Sequence, residues 1–154
     1  MKKRMRRIGW AVILWLLPMA GWAQSSVIVQ MAGYHQVPKV ETPASGVLEV
    51  TLKADSLIVE GNFRDLNSVY RSSALYFGEP GKRGNRLMGL VAELDEDRRG
   101  GKFSAETNRL KLPPSLLEAL ERGHLFVSIG SDRRPHGEIR GQLPSMSPDP
   151  DPRE

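Results

Sequence analysis

The chain has no cysteine, which excludes disulfides, thiolate metal sites, a cysteine nucleophile and a lipid-modified cysteine anchor. Stability must come from a hydrophobic core. Histidine is almost as scarce, with three residues in the chain, and His35, His124 and His136 stand far from one another in sequence. A zinc or copper centre draws on about three or four convergent ligands, so a metal-binding or redox protein using these histidines is the alternative reading, not the first. A membrane-length apolar run is also missing. Residues 8–17 are apolar but end at Pro18, short of the roughly 20 residues that cross a bilayer. Lys2, Lys3, Arg4, Arg6 and Arg7 precede that run, and Gly21-Trp22-Ala23 follows it before the polar Gln24-Ser25-Ser26. This is the pattern of a signal peptide, residues 1–23, cleaved after Ala23, with a retained anchor as the competing reading. The mature chain is expected outside the cytoplasm, periplasmic or secreted, with no stable membrane span after cleavage.

Removing the leader changes the charge. All 18 acidic residues follow Ala23 but five of the 22 basic ones precede it, so the mature chain carries 17 basic against 18 acidic residues, a formal net charge of −1 rather than +4. The basic pI therefore belongs to the export signal and gives no sign of nucleic-acid binding. Catalytic constellations are absent as well. Gly130-Ser131-Asp132 lacks the flanking glycines of a nucleophile elbow, and Glu93, Asp95, Glu96 and Asp97 sit in or beside an arginine-rich loop, where a solvated turn is the ordinary outcome. A noncatalytic chain without a cofactor is the expectation.

What remains is period-two patterning broken by turn residues. Strands are expected around residues 27–29, 46–52, 57–63, 74–77, 87–94, 102–112, 124–129 and 137–143, with a turn at Asp55-Ser56 and a charged hairpin loop at residues 95–101. Residues 113–123 break the pattern: Pro113-Pro114 opens them, Leu116, Leu117 and Leu120 recur at helical spacing, and Gly123 closes them, which predicts one short helix over about 114–122. The fold class is mainly β: one antiparallel β-sandwich or barrel, Greek-key-like, over residues 24–143. Residues 144–154, rich in Pro and Asp, have no apolar face and are expected to form a disordered tail.

The closing stretch Pro135-His136-Gly137-Glu138-Ile139-Arg140-Gly141-Gln142-Leu143 sets His136, Glu138, Arg140 and Gln142 on one strand face and Gly137, Ile139, Gly141 and Leu143 on the other. Together with Gly123-His124-Leu125-Phe126-Val127-Ser128-Ile129-Gly130-Ser131, the opening segment around Val37-Pro38 and Thr42, and the glycine-led residues 84–94, it resembles the CHRD (chordin-type) domain. That resemblance implies an exported β-module, noncatalytic, for binding or structure, with an unknown protein or envelope component as partner. The chain departs from the family pattern where relatives carry His-x-His and Asn-x-His-Thr: it has Leu75-Tyr76-Phe77-Gly78 and Ser128-Ile129-Gly130-Ser131.

Those departures suggest a polar patch turned apolar, so the expected recognition surface is the sheet bearing Leu75, Phe77, His136, Glu138 and Arg140. Arg140 offers a planar fork to a carboxylate or phosphate. The plainer expectation is that Glu138 and Arg140 pair with charges on the neighbouring strand. Lys82-Arg83-Gly84-Asn85-Arg86 is a further basic cluster suited to an acidic glycan or a phosphate headgroup.

Overall fold

The computed structural model describes residues 24–148; residues 1–23, where the signal peptide is expected, and residues 149–154 lie outside the described residues. In chain order the elements are β1 (Ser25–Ala32), a 3-10 turn (Gly33–His35), β2 (Ser45–Lys53), β3 (Ser56–Arg64), β4 (Tyr70–Phe77) and β5 (Asn85–Gly89). There follow β6 (Glu93–Leu94), β7 (Gly101–Phe103), β8 (Arg109–Lys111), α1 (Pro114–Glu121), β9 (Leu125–Ser131) and β10 (Arg134–Gln142). Every strand pairing is antiparallel, and the strands form one curled sheet in the order β5-β4-β9-β10-β1-β2-β3-β7-β6, with β8 on β3. The mainly β, antiparallel sandwich-or-barrel class with one helix that the sequence predicts is what forms, as a half-barrel.

Alternation decides which side is core. Leu48, Val50 and Leu52 of β2 lie level with Gly61, Val59 and Leu57 of β3, so their side chains share one face and are buried together. The turn between these strands is Ala54-Asp55, one residue earlier than the sequence suggests, with Ala54 at φ 53°. Val29 and Met31 of β1, Leu125, Val127 and Ile129 of β9, and Ile139 of β10 complete the interior.

The open side of the curl lies between the end strands β5 and β6. The expected strand over 87–94 breaks there: residues 90–92 leave the sheet and bridge the gap. Leu90 N–H donates to Ser73 O at 3.0 Å, while buried Asn108 holds Val91 from both sides, Oδ1 accepting its N–H at 2.8 Å and Nδ2 donating to its carbonyl at 2.9 Å. The expected strand over 102–112 is likewise two short strands around the turn that carries Asn108.

Helix α1 begins after Pro113 and turns Ala119 and Leu120 into the interior. Its end is a Schellman arrangement, with Gly123 at φ 71°, Gly123 N–H donating to Leu120 O at 2.9 Å and His124 N–H to Ala119 O at 2.9 Å. The tail does not start at Leu143 as expected. Met146 is buried in the core, its N–H donates to Leu120 O at 3.2 Å, and Ser145 Oγ donates to Glu121 O, so the packed domain runs three residues further.

Candidate functional site

β9, with the middle of β4 and the second half of β10, has both faces covered. Every residue of β9 is buried. Its inner side chains fill the barrel, and its outer ones lie beneath the segment after β1 and the loop between β4 and β5. Cross-strand register fixes the two sets. Leu75, Val127 and Gly141 are level with one another, as are Ala74, Ser128 and Arg140 in the next row.

The register reverses the expected assignment on β4. Leu75 is fully buried in the core, so it leaves the expected surface, and Tyr76 takes the place next to the outer side chains. Phe77 lies on the inner side at the strand end, partly exposed, with its ring edge toward His124 at 6.3 Å. Neither belongs to the face that holds Arg140. The three positions that depart from the family's histidine pattern also divide, since Leu75 and Phe77 alternate with Tyr76 while Gly130 lies level with Ser72 on the outer side.

On the outer face, Phe126 is stacked on Tyr76 from β4, with centroids 5.1 Å apart and planes 10° apart, and the guanidinium carbon of Arg140 from β10 lies 3.5 Å from the Phe126 centroid. Arg140 is 2 % exposed. Its Nη1 donates to Lys82 O at 2.5 Å, and its Nη2 to Glu79 O at 3.0 Å and Gln142 Oε1 at 2.6 Å. No carboxylate pairs with it among the described residues. Burial lowers its pKa from the ordinary value, the sign expected for a cation that has lost water. Three of its five N–H groups are engaged, leaving Nε–H and one Nη1–H.

Glu138 is fully buried too, yet it faces elsewhere. Its Oε1 accepts from Thr42 Oγ1 at 2.5 Å and Asn67 N–H at 2.7 Å, and its Oε2 from Ser131 Oγ at 2.5 Å. The β9–β10 pairing is irregular between Arg134 and Ile139, so the simple alternation that grouped Glu138 with His136 fails there. The expected cross-strand ion pairs of Glu138 and Arg140 are absent: the first binds hydroxyls and an amide, the second binds carbonyls and a ring.

Above Arg140 opens a cleft of about 730 Å³. Its basic lining is Arg83 and Arg86 from the β4–β5 region, Arg133 from the β9–β10 turn, Arg134 and His136 from the start of β10, and Arg140 itself. Tyr76, Phe126, Ser72, Ser128 and Gln36 contribute aromatic and neutral polar surface, and among the described residues no Asp or Glu lines it. Of the expected site residues the structure therefore gathers His136 and Arg140, and it joins them to two of the basic cluster. Arg133 and Arg134, one step before the closing motif, had no signal of their own in the sequence.

The histidines do not converge. His35 Nδ1 lies 3.1 Å from Arg140 O, His124 sits against Phe77, and His136 is exposed at the cleft. Among the described residues no three His, Cys, Asp or Glu side chains are grouped to hold a metal, and no helix is long and apolar enough to cross a membrane.

The family model of the CHRD domain matches residues 27–143. The chain belongs to the CHRD domain family. No curated protein and no solved structure matches it. The match to the CHRD domain spans the whole curled sheet from β1 to the end of β10, and a CHRD domain is a noncatalytic module for binding or structure, of an extracellular type. The arginine cleft lies inside that matched CHRD region and is built from its last strand pair and its middle loop.

Proposed function

We propose that this CHRD domain is an exported binding module whose recognition site is the Arg140 cleft and whose ligand is an acidic component outside the cytoplasm. The observation that carries this reading is Arg140: among the described residues, a buried guanidinium with no carboxylate partner and two unused N–H groups, at a cleft lined by five arginines and no acid. A buried cation left without an anion is costly. Carbonyl oxygens and the Phe126 face hold the group in place but supply no opposite charge. An incoming carboxylate, sulfate or phosphate would supply it, with the planar fork giving direction.

Export rests on the leader sequence, and the leader is also why net charge does not confuse the test. A mature chain of formal charge −1 has no general reason to bind a cation exchanger. The purified mature protein should nevertheless be retained on phosphocellulose at low salt and elute as salt screens the cleft. The Arg83→Ser/Arg134→Ser variant, altered at two exposed positions, should run through. Passage of the unaltered protein without retention, or retention unchanged in the variant, would refute the reading.

A further inference from the structure

The cleft's cations reach it from several strands, and that arrangement bears on the shape of the ligand. Arg86 is level with Tyr76, and its Nη2 lies beside Gly89, which is level with Ala74. Arg140 lies level with Ser128 and Ala74. Arg134 lies level with Ser131, which in turn faces Tyr70. From Phe126 to Ser131, the β9 partners of Tyr76 and Tyr70, is five strand residues, roughly 16 Å along the sheet at about 3.3 Å per residue. Arg83 and Arg133 line the cleft as well. A ligand that meets Arg140 and the Arg134 end together is longer than a single carboxylate or phosphate.

Resting on the Arg140 reading, we infer that the cleft takes a linear acidic oligosaccharide, laid in the cleft with its anionic groups spaced over several arginine stations. The neutral lining favours a sugar backbone between the charges. Ser72 offers a hydroxyl, Gln36 lines the cleft while its Nε2 donates to the buried Ser128 Oγ at 2.9 Å, and the Tyr76 ring, half-buried and backed by Phe126, offers a flat apolar surface to the C–H face of a ring. Arg83, Arg86, Arg133 and Arg134 are exposed and take part in no ion pair among the described residues, so nothing in the fold competes for them.

The test is calorimetric titration of the mature protein with galacturonate and tetragalacturonate, with tetraphosphate as a second chain of repeated charge. Engaging several stations at once should make the tetrasaccharide bind on the order of 10²-fold more tightly than the monosaccharide. Arg83→Ser/Arg86→Ser and Arg133→Ser/Arg134→Ser, each at exposed positions, should both bring the tetrasaccharide's affinity down toward the monosaccharide's while leaving the thermal midpoint in place. Equal affinity for the two saccharides would overturn the extended-ligand inference and leave the Arg140 reading standing. Tight binding of tetraphosphate with none of tetragalacturonate would overturn the sugar assignment. Failure of all three probes to bind would overturn the inference, and with flow-through on phosphocellulose it would remove the Arg140 reading too.

Discussion

Glu138→Ala removes an acceptor that ties three separate segments together: Thr42 after the 3-10 turn, Asn67 between β3 and β4, and Ser131 at the end of β9. The three donors do not lose equally. Thr42 and Asn67 are half-buried and regain water, whereas Ser131 is fully buried, as is Glu138 itself. Hydrogen bonds to a charged group contribute about 1.5–3 kcal/mol each, and a buried donor left without a partner costs about 1–3 kcal/mol. Relief from burying a carboxylate that has no cation partner offsets part of that loss. The expected net cost is about 2–4 kcal/mol, a large share of a typical domain's stability. Urea unfolding followed by far-ultraviolet circular dichroism should show the midpoint fall with an unchanged slope. A double-mutant cycle sharpens the test: Ser131→Ala should cost about 1–2 kcal/mol in the native background and close to nothing after Glu138→Ala. A total loss below about 1 kcal/mol, or an equal cost for Ser131→Ala in both backgrounds, refutes the clamp.

The bridge across the open side of the barrel gives a second prediction. Asn108→Ala leaves the amide of Val91 without its acceptor and should cost about 2–3 kcal/mol, with faster hydrogen exchange at Val91 as the direct readout. Asn108→Asp should not rescue it, because a carboxylate would face the carbonyls of Val91 and Ser104 that Nδ2 now serves. Gly84→Ala places a Cβ 2.1 Å from Phe77 O and 2.6 Å from the Phe126 ring. Overpacking of that kind should cost about 1–3 kcal/mol and, by moving the arginine loop, weaken retention on phosphocellulose. Met146→Ala should lower stability by about 2 kcal/mol, and ending the chain at Leu143 should cost at least as much, as measured by thermal unfolding.

Periodicity made the local structure legible. The β2–β3 hairpin, the short helix between two prolines and a glycine, and the inward Ile139, Gly141 and Leu143 all follow from spacing alone, because each is set by neighbours in sequence. The site was legible only in fragments. Its arginines come from two stretches about fifty residues apart, and they meet because β4 pairs with β9, a long-range pairing that no local pattern encodes. One residue of register decided whether Leu75 or Tyr76 would face Arg140. Strand alternation correctly separated the two sets, but the choice of face depended on the partner strand. The irregularity before Ile139 then removed Glu138 from the group in which strict alternation had placed it. Met146 escaped notice for a different reason: a lone apolar residue among prolines has no period, and its burial depends on the end of α1.

The closing strand thus carries two buried charges with opposite fates, and the difference lies in how completely each is matched. Glu138 accepts from three donors supplied by the fold, and its geometry is complete without any further group. Arg140 is held by three acceptors, all of them neutral, and by the Phe126 face, while two of its N–H groups make no hydrogen bond among the described residues and the residue lines the cleft. If its purpose were solely to pin the β4–β5 loop, a neutral donor would serve without the cost of desolvating a cation. The surroundings argue the same way, since the cleft gathers four more arginines and a histidine about it, and among the described residues no Asp or Glu lines it with them. Like charges brought together in a fold are stabilised by whatever anion comes between them. The arrangement is costly for the empty domain and favourable for the occupied one, as befits a binding site.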